Sequence, residues 1–234
     1  MSEQDVALIV GAGAGLSASL ARRFSSAGMK VALAARNTEK LADIQSTTGA
    51  QVYACDTVEA DQVTALFENV VSDLGTPTVV VSNASARVRG PITEIEPEEV
   101  KKAVLITAYG GFLVGQAAAK LMVPAGRGTI MFTGASAGVK GFPMSATFAM
   151  GKFGLRGLAQ SMARELHPQN IHVVHVVVDG GIQSVDRGRV KGDGDEADKW
   201  LAPDAIAETY YHLHTQHRSS WSWEIEVRPW VEKF

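Results

Sequence analysis

Three glycines at alternate positions, Gly11, Gly13 and Gly15, follow directly on the apolar run Val6 to Val10. They open an Ala- and Leu-rich stretch, Ala14 to Ala27, that Gly28 closes. A strand, a tight glycine turn and a helix in that order present free backbone N–H groups and a positive helix end to phosphate, as in a dinucleotide pyrophosphate site. A glycine cluster by itself marks only a tight turn, and the context carries it further. The next apolar run, Lys30 to Ala35, ends at Arg36, where a βαβ nucleotide unit places the group that reads the adenosine ribose. Other residues that do chemistry fall out of contention. The single cysteine, Cys55, ends an apolar run and reads as a packed thiol. His212 and His214 lie two apart on a helical stretch and do not face one another, and with His217 they read as surface histidines near a helix end. His172 and His175 lie three apart on a strand, which sends them to opposite faces. No metal site is expected.

The elements that must position the glycine turn recur along the whole chain. Strand-like runs stand at Val6 to Val10, Val31 to Ala35, Val52 to Cys55, Thr78 to Ser82, Thr129 to Thr133 and His172 to Val178, with helical patterns between them. Strands alternating with helices predict an α/β fold, a Rossmann-type doubly wound parallel sheet of about seven strands with helices on both faces. Asn37 or Thr38 is placed to cap the second helix, Pro97 suits a first turn before Glu98 and Glu99, and Pro203 starts the last helix. The hydrophilic stretch Gln183 to Asp198, with Gly188, Gly192 and Gly194, reads as a flexible lid or a tolerated surface loop, the lid favoured because it follows the last long strand. Trp221 to Val227 alternates as an edge strand before Arg228-Pro229-Trp230, and its aromatic residues are expected to be covered by a partner chain. At 234 residues the chain is expected to be a single domain, 1–234. With 22 basic and 25 acidic residues, a net charge of -3 gives no reason to expect nucleic acid or a membrane surface as partner. The acidic start, Met-Ser-Glu-Gln-Asp, followed by five apolar residues, does not read as a signal peptide, and a cytoplasmic protein is expected.

The assembled signals resemble the short-chain dehydrogenase/reductase superfamily over nearly the whole chain. Val10-Gly11-Ala12-Gly13-Ala14-Gly15-Leu16-Ser17 is similar to that family's Thr-Gly-x-x-x-Gly-x-Gly turn, with Val10 for the threonine and Ser17 for the last glycine. The resemblance implies that Gly11, Gly13, Gly15 and Leu16 hold the cofactor. Asp56-Thr57 resembles the pair that contacts adenine, and Ser82-Asn83-Ala84-Ser85 the Asn-Asn-Ala-Gly segment after strand four. Asp179-Gly180-Gly181-Ile182-Gln183-Ser184 looks like the Pro-Gly segment, whose backbone at the Ile182 position holds the nicotinamide amide. A carboxylate ending strand two would hold the ribose diol of NAD and repel a 2′-phosphate, whereas Ala34-Ala35-Arg36 favours NADP(H), with Asn37 and Lys40 to assist. Ala14 stands where NADP-binding members often carry a basic residue, which moderates the preference.

The family's carbonyl chemistry joins a phenol that exchanges a proton with the substrate oxygen, a lysine that lowers its pKa and a serine that holds the oxygen. Here Tyr-x-x-x-Lys reads Phe148-Ala149-Met150-Gly151-Lys152, the serine position thirteen residues upstream is Ala135, and the orienting asparagine position is Thr107. A phenyl ring exchanges no proton and a methyl group stabilises no oxyanion, so ordinary alcohol oxidation is expected to be feeble. Lys152 keeps its ability to hydrogen-bond the nicotinamide ribose. Ser136, one residue out of register, is the candidate substitute hydroxyl, with Ser145, Thr147 and Tyr109 nearby, and Arg87 and Arg89 lie in what the resemblance makes a substrate-side loop. The resemblance implies an NADP(H)-dependent oxidoreductase with a non-standard site acting on a small molecule, for example an iminium that needs no phenol donor. A homodimer or homotetramer is expected, burying the Trp221 to Trp230 tail and the long helices before Met122 and around Lys152. The alternatives are a catalytically silent NADP(H)-binding protein or regulatory subunit, and a cofactor-free lyase or isomerase.

Overall fold

In the computed structural model of the chain, which describes residues 4–190, 192–193 and 198–232, seven strands form one parallel sheet. They are β1 (Val6–Val10), β2 (Lys30–Ala35), β3 (Gln51–Ala54), β4 (Val79–Ser82), β5 (Gly128–Thr133), β6 (Ile171–Val178) and β7 (Glu224–Val227). Their order in space is β3-β2-β1-β4-β5-β6-β7. The chain leaves β1 toward β2 on one side and later returns to add β4 on the other, which opens a crevice at the carboxyl ends of these strands. The acidic start at residues 1–3, and residues 191 and 194–197 of the stretch read as a lid, lie outside the described residues.

Helices α1 (Leu16–Ser26), α2 (Ala42–Thr48) and α7 (Pro203–Thr215) cover one face, and α3 (Ala60–Leu74), α5 (Gly110–Ala125) and α6 (Ala146–Leu166) the other. The period of two in β1 divides the core: Ala7 and Ile9 join Leu20, Phe24 and Tyr210, while Val6, Leu8 and Val10 join Phe67, Val114 and Leu155. Each large apolar side chain so buried contributes about 1.5–3 kcal/mol relative to exposure. Burial on both faces explains why the inner strands read as continuous apolar runs. Pro97 opens α4 (Pro97–Val104) and Pro203 opens α7, as their sequence predicts. A π turn, Leu105–Tyr109, fuses α4 and α5 into one helical run, which no sequence signal marked.

Several expectations are corrected. Cys55 lies one residue beyond β3, though it is buried, and burial pushes its thiol up to about 11. His214 is not a surface histidine: its Nδ1 pairs with Thr129 Oγ1 at 2.9 Å, and burial lowers its pKa. Trp221 and Trp223 are half-buried and have partners within the chain. Trp221 stacks on His172 at 4.6 Å and donates to the Gln216 carbonyl, and Trp223 packs beside Arg156. Trp230 alone of this tail's tryptophans is strongly exposed.

Candidate functional site

The carboxyl ends of β1, β4, β5 and β6 open onto a single cleft of about 1250 Å³. One end is built by the glycine turn. Gly11 has φ +83°, its N–H and that of Ala12 both donate to the Ala34 carbonyl at 2.9 Å, and a Cβ on it would stand 2.4 Å from the Ala84 backbone nitrogen. Glycine is required there by protein packing. Gly13 and Gly15 differ: a Cβ on either would meet no protein atom within 4 Å, so what they keep clear is space in the cleft. Leu16 opens α1 with no side chain capping the helix and no acidic residue in its first turn, which leaves the helix end available to an anion. Asn83 ties this region together, its N–H on the Val10 carbonyl and its Nδ2 on Ser17 Oγ, both at 2.8 Å.

Arg36, exposed just past β2, lines the same end of the cleft with Lys40, Asp56 and Thr57. Asn37 is used otherwise: its Oδ1 accepts from the Glu39 N–H at 3.0 Å and turns the chain into the following helix. Asp56 Oδ1 accepts from the Val58 N–H at 3.3 Å, which shapes the turn after β3.

At the other end, α6 brings Phe148 and Lys152 one turn apart onto the cleft wall. Lys152 is 2% exposed, its Nζ donates to the Thr133 carbonyl at 2.6 Å, and burial lowers its pKa to about 8. The Phe148 ring centroid lies 5.7 Å from that nitrogen. Ala135 and Ser136 also line the cleft, Ser136 opening a 3-10 turn, Ser136–Gly138, that packs against α6 at Lys152. Ile182 also faces the cleft, held by paired backbone bonds of Gln183 and Gly181 with Leu201 at 2.9 Å.

Not every residue singled out in the sequence reaches this wall. Thr107 sits in the π turn, fully buried, and its Oγ1 accepts from the Ala86 N–H at 3.1 Å, so it anchors the loop after β4 from beneath. Thr147 does likewise, donating to the Val88 carbonyl at 2.6 Å. Tyr109 stacks on Phe112 at 6.3 Å outside the cleft. Ser145 is on the wall and accepts from Arg87 Nη2 at 3.4 Å. Sequence reasoning missed Arg187 and Arg189, which line the cleft from the segment after β6. Alternating basic residues in a hydrophilic stretch were the available signal, and it does not say which way they face.

The comparisons agree with this geometry. A family profile described as short chain dehydrogenase matches residues 5–189. The chain is 32% identical over 182 residues to a short-chain dehydrogenase/reductase of Armillaria gallica, covering 74% of this chain and 69% of that protein. It superimposes with a TM-score of 0.83 and 34% identity on a short-chain dehydrogenase from Rhodopseudomonas palustris, over 97% of this chain and 99% of the other. A metagenomic short-chain oxidoreductase crystallised in complex with NADP matches with a TM-score of 0.82 and 29% identity, over 97% and 98%.

Proposed function

The chain belongs to the short-chain dehydrogenase family, and from that premise we propose that it is an NADP(H)-dependent oxidoreductase whose active site departs from the tyrosine mechanism. In this reading Phe148, Ala135 and Thr107 take the places of the family's tyrosine, serine and asparagine. The observation that carries it is the pairing on α6: Phe148 presents a ring, with no proton to exchange, 5.7 Å from the buried Lys152. The substrate is then a small molecule whose acceptor carbon is already cationic or strongly polarised, such as an iminium, because no phenol protonates its heteroatom.

The residues fit the cofactor. The space that Gly13 and Gly15 leave clear suits a pyrophosphate at the start of α1, Arg36 with Lys40 suits a 2′-phosphate, and Asp56, Thr57 and Asn83 line the path between turn and nicotinamide end. Lys152 spends one of three ammonium donors on Thr133, which leaves two for ribose hydroxyls. NADP(H), when bound, supplies or takes up the hydride. The NADP complex of the metagenomic relative supports the same choice. Ser136, half-buried on the wall, is the hydroxyl left to hold a substrate heteroatom. Self-association as a homodimer or homotetramer belongs to this reading, supported by the apolar side chains exposed on α5 and α6.

Titration of NADPH and NADH into the protein, followed by turnover against a panel of carbonyls and imines, tests it. NADPH is expected to bind roughly ten- to hundredfold more tightly, the range of a hydrogen-bonded charge, and Arg36→Ala to erase most of that difference. Equal dissociation constants would sink the cofactor assignment. Tight NADPH binding with no turnover on any substrate would return the silent nucleotide-binding reading.

A further inference from the structure

Four arginines line the cleft, Arg87 and Arg89 from the loop after β4 and Arg187 and Arg189 from the segment after β6, and Arg89 and Arg189 lie close enough to Arg87 for their charges to act on it. Their backbones are held in place. Val88, between the first two, exchanges two bonds with the Thr147 hydroxyl at 3.3 and 2.6 Å, and the Gly90 N–H donates to the Met144 carbonyl at 3.2 Å. Arg189 exchanges two backbone bonds with Ser184, each 2.9 Å, and its guanidinium lies 5.4 Å from the Trp200 ring. The Arg87 guanidinium stands 5.1 Å from the Phe148 ring centroid.

None of the four has an ion-pair partner among the described residues. Of the described carboxylates on the cleft wall, Asp56 belongs to the adenosine end, and Asp179 is engaged by Lys140 at 3.5 Å and Arg228 at 2.5 Å. Glu232 stands beyond ion-pair reach of all four. Burial, then the charges of Arg89 and Arg189, pull the Arg87 guanidinium below its ordinary range. Like charges gathered in a concave site raise the local concentration of an anion and select it. A guanidinium fork matches the planar oxygens of carboxylate or phosphate.

We propose that the substrate carries an oxyanion, a carboxylate or a phosphate, that docks between Arg87 and Arg189 beside Phe148. This rests on the cleft being the hydride-transfer site proposed above. It also says what the site has in place of a proton donor: an anchored oxyanion fixes the orientation of the reacting carbon, and orientation is a catalytic contribution that needs no phenol.

The test is calorimetric titration of benzoate, phenyl phosphate and the neutral benzamide into the protein, with and without saturating NADP⁺. At least one anion is expected to bind about tenfold or more tightly than benzamide with NADP⁺ bound, and to weaken as salt rises. Arg87→Ala and Arg189→Ala are each expected to weaken the anion about tenfold and to leave benzamide unchanged. Arg189 sits on an exposed segment, so its variant keeps the test alive if Arg87→Ala fails to fold. Preference for benzoate identifies a carboxylate substrate, and preference for phenyl phosphate a phosphorylated one. Equal binding of benzamide, indifference of both variants, or loss of anion binding when NADP⁺ occupies the cleft would overturn the proposal. NADPH binding without anion selectivity removes this inference alone, whereas anion selectivity without NADPH binding removes the cofactor reading and leaves the arginines as a site.

Discussion

Phe148 and Lys152 stand one turn apart on α6, and the chemistry between them is a matter of one oxygen atom. Phe148→Tyr places a phenol beside an ammonium, and Ala135→Ser returns a hydroxyl to the cleft lining. Each group has a role only when the other is placed, so the double variant is expected to gain more than the sum of the singles. On activated ketones with NADPH it is expected to exceed the parent by at least ~10²-fold, the low end of what general acid catalysis contributes, with Phe148→Tyr alone recovering part. In the oxidation direction its rate is expected to rise with pH, because the deprotonated phenol is the base. Burial lowers the pKa of Lys152 itself to about 8. The phenol and the lysine therefore form a coupled pair that loses its protons in two macroscopic steps, and the rise in rate follows a step that belongs to the pair rather than to either residue. A double variant that folds, binds NADPH and reduces no ketone faster than the parent would show that these positions are not the reacting ones. Lys152 and Phe148 were legible because a helix fixes what four residues of spacing means. Arg187 and Arg189 were not, because the direction of a side chain in the segment after β6 depends on the Ser184 pairing and on Leu201, which no local pattern announces.

The glycine turn separates two uses of the same residue. Gly11 combines φ +83° with backbone 2.4 Å from its absent Cβ, so Gly11→Ala strains the turn and pushes on the end of β4. It is expected to cost about 2 kcal/mol or more of stability, read from urea unfolding. Gly13 has open space where its Cβ would be, so Gly13→Ala is expected to leave stability within about 0.5 kcal/mol while lowering NADPH affinity at least about tenfold. Unchanged NADPH affinity in Gly13→Ala would mean that the space is not a phosphate cradle. The spacing Gly11-x-Gly13-x-Gly15 marked the turn but not this division of labour, which depends on where Ala84 comes to rest after a crossover of some seventy residues. The six strands from β1 to β6 were legible to within a residue at each end, the inner ones because burial on both faces makes them apolar throughout, whereas the edge strand expected from Trp221 begins only at Glu224. The π turn was not, because Leu105–Tyr109 has the same apolar spacing as the helices it joins.

Across the whole molecule, alternation of strand and helix predicted the sheet, and the sheet in turn gathered Gly11, Asn83, Lys152 and Ile182, which lie far apart in the chain, onto one crevice. The helices before Met122 and around Lys152, expected at a subunit contact, leave apolar surface uncovered by the chain itself. The helical run Pro97–Ala125 is long and apolar enough to cross a membrane by composition, yet only 39% of its apolar window is buried within the chain. The remainder includes Leu105, Tyr109 and Phe112, spaced four and three apart on one face, with Met150 and Phe153 exposed on the packed neighbour α6. An apolar surface of this kind on a globular domain is stabilised by coverage, and a two-fold axis lets one stripe cover its own copy. The self-association proposed here runs through these two elements; Trp221 and Trp223 are half-buried with partners in their own chain, and Trp230 is 73% exposed. Light scattering at high micromolar concentration is expected to give a dimer or tetramer. Phe112→Glu with Phe153→Glu places two charges on the stripe and is expected to lower the mass to that of one chain, with the NADPH dissociation constant within about threefold of the parent since neither side chain lines the cleft. A parent protein that is already monomeric under those conditions would leave the stripe without the partner assigned to it, and the proposed assembly would fall with it.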